Sequence, residues 1–171
     1  MKKKTLWITQ TAVMLALLIV LQWLTKPLGQ IVTGSCVNAV LAVSVLLGGL
    51  WCGVTVAAVS PFCAFLLGIG PQLFAMIPAI ALGNAVYVLL LHLVCGESIW
   101  SKIWALLSAS LGKFGVLYLV VVELLCRVLP LKQPQIDTFT AMFSAPQLVT
   151  ALIGGSIAML MLPVLKKALR R

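Results

Sequence analysis

Hydrophobic positions in this chain fall in six long runs, at residues 5–25, 35–50, 51–67, 72–95, 101–129 and 141–165. Within each run the apolar residues are nearly continuous. They follow neither the alternation of a half-buried strand nor the stripe of a soluble amphipathic helix. The breaks between runs are short and carry helix-ending residues: Pro27 and Gly29, Gly48-Gly49, Gly68, Gly70 and Pro71, then Gly96. The connection 130–140 holds Lys132, Gln133, Pro134, Gln135 and Asp137 and is the longest polar stretch, which predicts an extended loop. A membrane-crossing helix needs about 20 residues, so six spans with short loops use nearly all 171 positions. The pattern predicts an all-α integral membrane protein, a six-transmembrane-helix bundle forming one domain over residues 1–171. Pro61 lies inside the third run. A kink is expected there, with the Ser60 hydroxyl meeting a backbone group that the proline frees.

Composition agrees with that pattern. The chain is 63% hydrophobic and only 9% charged, against about 25% charged in soluble domains. Its net charge of +9 does not read as a nucleic-acid footprint, because Lys2, Lys3 and Lys4 open the chain and Lys166, Lys167, Arg170 and Arg171 close it. With six spans, eight Lys or Arg residues (those seven and Lys102) share one side, and Lys26, Arg127 and Lys132 share the other. The positive-inside rule then puts both termini in the cytoplasm of a cell-membrane protein. The first run is long for a signal peptide and lacks an A-x-A-like cleavage site, so it reads as a retained span. Cys36, Cys52, Cys63, Cys95 and Cys126 are scattered and have no metal-ligand spacing with His92. No metal or cofactor is expected.

The fifth run carries Lys113 near its centre and Glu123 ten residues later. Ionisable groups at bilayer depth are expensive and mark functional sites. Glu123 has Arg127 one turn on as a partner, whereas Lys113 has no acid within reach on its own helix. Partners from other helices, such as Asn84 and Gln147, or a ligand anion, must satisfy it. Asn84 falls near mid-span. Gln147, Gln72, Asn38, Gln22 and Glu123 all fall toward the side opposite the termini. Candidate substrate-binding residues are therefore Lys113, Asn84, Gln147, Asn38, Gln72 and Glu123. Against this, Asn84 and Gln147 can act as interhelical glue, Gln22, Gln72 and Asn38 can face interfacial water, and Glu123 can serve Arg127 alone. Polar groups gathered in one half describe a pocket open to the outside and closed within, not a pore lined at both ends.

Several short motifs support a family resemblance. They are the Ala12–Ala16 small-residue pair, Gln30-Ile31-Val32-Thr33-Gly34-Ser35 leading to Asn38-Ala39, Ser60-Pro61-Phe62, and Gly68-Ile69-Gly70-Pro71. Gly83-Asn84 and Pro146-Gln147-Leu148 with Gly154-Gly155 complete the set. In these, and in length and six-span layout, the chain resembles the substrate-binding S components of energy-coupling factor (ECF) transporters. The resemblance implies capture of a vitamin or related micronutrient from outside, with no enzymatic activity in this chain. Delivery would run through a transmembrane coupling subunit driven by two ATPases, with Ala12 and Ala16 on the coupling face. The chain has no G-x-x-x-x-G-K-[ST], so ATP use would belong to those partners. Rival readings are a stand-alone secondary transporter or channel, for which an inner polar path is missing. An intramembrane enzyme built on His92 is a third reading, and His92 falls far in depth from the polar cluster.

Overall fold

The computed structural model describes residues 2–169, and every regular element among them is helical. Helix α1 spans Lys2–Thr25 and passes through a 3-10 turn, Lys26–Leu28, to α2, Gln30–Gly48. Helices α3, Leu50–Leu66, and α4, Met76–Val94, follow. Helix α5, Ile99–Leu117, runs on through a π-helical segment, Tyr118–Leu125, and a last turn, Cys126–Val128. Helix α6, Gln133–Phe143, is short, and α7, Ala145–Leu169, is long. Five helical stretches are long and apolar enough to cross a membrane: Thr5–Leu28, Gln30–Gly48, Met76–Val94, Ile99–Val128 and Gln133–Ala168. The sixth, α3, is apolar but has 17 residues, short of the ~20 a perpendicular span needs. The chain is thus a candidate multi-pass helical membrane protein. The charges at Arg170 and Arg171 lie outside the described residues, as do the side chains of Lys2, Lys3 and Lys4.

Three boundaries differ from expectation. Helix α2 begins at Gln30, five residues before the apolar run, because Gly29 at φ +86° is the true break and the chain helps itself to helix immediately after it. Gln72 precedes α4 instead of opening it. The expected loop at 130–140 is mostly helix. Pro134 sits in the first turn of α6, where its missing N–H costs nothing. The Gln135 side chain accepts from the Lys132 backbone N–H at 3.0 Å and caps the helix start. Ile136, Phe139 and Phe143 then share one face, and the two phenylalanines bury themselves against Met76, Leu117, Val121 and Cys126.

The main core lies among α1–α5 and α7, with Leu18, Leu41, Val56, Tyr87, Val88, Leu91, Ala109 and Ala151 fully buried. Helix α7 lies directly on α2. At Gly154 an added Cβ would collide with the backbone of Ser35 and Ala39, so only glycine permits this approach. At Gly155 it would meet the Tyr87 hydroxyl at 2.6 Å. That hydroxyl donates to the Ala151 carbonyl at 3.1 Å and ties α4 to α7. The neighbouring Gly112 is likewise packed, against Leu90 and Val86, whereas Gly115 faces open space.

Helix α3 continues through Pro61. The expected role of Ser60 is not what the structure shows. Its hydroxyl is buried and has no hydrogen-bond partner among the described residues, so it does not relieve the proline.

Candidate functional site

The end of α1, the start of α2, the end of α3, the start of α4 and the start of α7 meet at one end of the bundle. They enclose a cavity of about 270 Å³, at the lower edge of the ~300–1,000 Å³ typical of small-molecule sites. Its walls are largely apolar, with Val37, Phe65, Ile69, Ile77, Ile80 and Phe143 among them. Its deepest polar groups come from three helices. Lys113 of α5 is 3% exposed, and its Nζ donates to Asn38 Oδ1 at 2.6 Å and to Asn84 Oδ1 at 2.7 Å. Nζ also lies 5.6 Å from the centroid of the Tyr87 ring, within cation–π range. The ring is fixed by its bond to Ala151, so the lysine is positioned from α2, α4 and α7 together.

This arrangement satisfies the lysine without a carboxylate. An ammonium has three N–H donors, of which Asn38 and Asn84 take two. Asn38 is held in turn, because its Nδ2 donates to Thr150 Oγ1 at 3.3 Å and Thr150 donates to the Gln147 carbonyl at 3.2 Å. Amide oxygens oriented in this way suit a buried cation, since an unpaired one carries a heavy desolvation cost.

Nearer the bundle end, Gln147 does not reach Lys113. Its Nε2 donates to the Met142 carbonyl at 3.0 Å, and Gln30 Nε2 donates to the same oxygen at 2.6 Å. Both side chains line the cavity; the Gln147 bond closes the α6–α7 junction on itself, and the Gln30 bond fastens that junction to the start of α2. Lys26, also on the lining, donates to the Gly68 carbonyl at 2.8 Å.

Of the six residues singled out by sequence, Lys113, Asn84, Asn38 and Gln147 line this one cavity. Gln72 and Glu123 do not. Gln72 lies in the coil before α4 and donates to the nearby Gly70 carbonyl at 3.4 Å. Glu123 forms an ion pair with Arg127 at the outer surface of the π-helical segment, where the two side chains are 35% and 73% exposed. Five polar lining residues lay outside the candidate set: Lys26, Gln30, Thr33, Gln22 and Ser60. Ser60 was assigned to the proline, and Gln22 to the interface. Both are buried, and Gln22 Oε1, like Ser60 Oγ, has no hydrogen-bond partner among the described residues. A polar residue within an apolar run was the available signal, without the direction it faces.

At the opposite end of the bundle a second hollow of about 560 Å³ is lined by His92, Cys95, Glu97, Lys102 and Lys166 with apolar residues of α2 and α7. Between the two hollows lie Leu41, Val56, Val88, Leu91 and Ala109, all fully buried. Among the described residues no group of three or more His, Cys, Asp or Glu is placed to hold a metal ion. Ala12 and Ala16 are both exposed on α1, along a face shared with Val13, Leu17 and Val20. No family model, curated protein or solved structure matches this chain.

Proposed function

We propose that this chain is the membrane-embedded binding subunit of an ATP-coupled importer, similar to the S components of ECF transporters, and that it captures a vitamin-like small molecule. One observation carries the reading: a largely apolar cavity opens at one end of the bundle and stops at a buried lysine held by two asparagines. That is the layout of a binding site, with apolar walls for area and a few convergent polar groups for orientation. The apolar layer beneath Lys113 favours binding over conduction, because a channel or stand-alone carrier needs a polar route to the far side. Chemistry is not required of the site, since its polar groups are amides, hydroxyls and lysines without a paired acid or base.

In this reading the termini are cytoplasmic and the cavity faces outward. Ala12 and Ala16 form the face that meets the coupling subunit, and two ATPases supply the energy. The exposure of both alanines on α1 supports that role, since small residues allow a partner helix to approach closely.

Native mass spectrometry of the protein, gently extracted in mild detergent, tests the reading. A stoichiometric small-molecule adduct that leaves on activation is the expected result. Protein that carries only lipid and detergent, even after incubation with the growth medium's micronutrients, would overturn it.

A further inference from the structure

The cavity's polar groups divide into those already spent within the protein and those left over. Lys26 bonds Gly68, Thr33 donates to the Thr25 carbonyl at 2.9 Å, and Gln30 and Gln147 share the Met142 carbonyl. Three groups remain with unused capacity and no exposure to meet it. One is the third donor of the Lys113 ammonium, at the α5 wall. The others are Gln22 Oε1 and Ser60 Oγ, 9% and 1% exposed as residues, on the α1 and α3 wall. Helix α5 packs on α4 and α7, whereas α1 packs on α2 and α3, so these two sets face the cavity from different sides. Among the described residues, the ionisable ones lining the cavity are Lys26 and Lys113, both cationic, and none is Asp or Glu.

Buried polar atoms in native proteins are almost always bonded, and an exception calls for a missing partner. Gln22 Oε1 can only accept. Ser60 Oγ can accept and donate. Together they fit an N–H donor with an acceptor beside it, as on the edge of an amide, lactam or cyclic urea. The Lys113 side fits a carboxylate or another acceptor anion. Resting on the binding-subunit reading, we infer that the cavity takes a two-ended organic acid: its anionic group on Lys113, its N–H edge on Gln22 and Ser60, and an apolar body between. A cation is disfavoured at the Lys113 end.

The test measures binding to the full-length protein in lipid nanodiscs by isothermal titration calorimetry. Biotin and pantothenate are acids that also carry N–H donors. Biotinamide and pantothenol keep each skeleton but lose the acid, and lipoate keeps an acid and an apolar body but has no N–H. At least one of the two N–H-bearing acids should bind, with its neutral twin and lipoate at least tenfold weaker. Ser60→Ala and Gln22→Leu should each weaken that acid about tenfold without lowering the thermal midpoint, since each removes a group that has no partner in the protein. Equal binding of a neutral twin or of lipoate overturns the inference, as does full affinity in both variants. Binding of none of the five also overturns it, and the native-mass measurement decides the binding-subunit reading separately.

Discussion

Two of the ionisable side chains on helix α5 and its continuation, Lys113 and Glu123, end in opposite circumstances. Lys113 has no charged partner, yet it is buried and bonded to asparagines from two other helices. Glu123 has a charged partner one turn away, yet it sits at the surface, away from the cavity that Lys113 lines. A charge that its own helix can neutralise has no need of the bundle. A charge that it cannot must be accommodated by neighbouring helices, and those neighbours then become a site. The contrast separates a local ion pair from a convergent one, although both begin as a single charged residue in an apolar run.

Three substitutions probe that contrast, in falling order of effect. Lys113→Met keeps much of the side chain's length and removes its donors. Losing a charge-assisted hydrogen bond to a ligand costs about 1.5–3 kcal/mol, or roughly ten- to a hundredfold in affinity. Calorimetry on the molecule recovered from the wild-type protein should show that loss, and a folded variant with parental affinity would return Lys113 to a purely structural role.

Asn84→Leu leaves the lysine buried with one amide partner fewer, at a cost of about 1–3 kcal/mol of stability. The double variant with Lys113→Met should recover part of that cost, because the lysine no longer needs the lost amide and only Asn38 Oδ1 is left without its donor. Thermal or denaturant unfolding of the four proteins measures this coupling. Strictly additive effects would mean that the asparagine acts independently of the lysine.

Glu123→Gln should change stability by less than about 1 kcal/mol, since exposed ion pairs contribute little, and should leave ligand affinity at its parental value. A loss of affinity comparable to that of Lys113→Met would erase the distinction drawn between the two residues.

Much of the architecture was legible in the apolar runs, since a membrane-crossing helix must be apolar over most of its length. Lys113 was legible for the same reason, as an exception within a run. Its partners were only half so. Asn84 was placed at mid-span by its position in an unbroken run. Asn38 was a candidate binding residue placed near the interface, because α2 was expected to start at residue 35. With the start at Gln30, Asn38 lies eight residues in, roughly 12 Å along the axis at 1.5 Å per residue. A five-residue shift in one boundary moved it from the rim to the cavity floor. Helix α6 was hidden by its polar first turn, although Ile136, Phe139 and Phe143 already had the spacing of a single helical face. The positions of Gln22 and Ser60 depend on how α1 and α3 rotate about their axes, and nearly uniform apolar runs leave that rotation unspecified.

The Met142 carbonyl accepts from both Gln30 and Gln147. Two neutral hydrogen bonds of this kind are worth about 0.5–1.5 kcal/mol each, net of what replaces them. Only the Gln30 bond crosses to α2, so releasing that latch costs roughly 0.5–1.5 kcal/mol, and it stands open for on the order of one part in three to one part in thirteen of the time. Local openings of this size recur within microseconds to milliseconds. A molecule bound for minutes would then meet an unlatched exit many thousands of times. How long it stays is set by its own grip on the cavity floor, and the frequency of unlatching can be read from amide hydrogen exchange across residues 142–147.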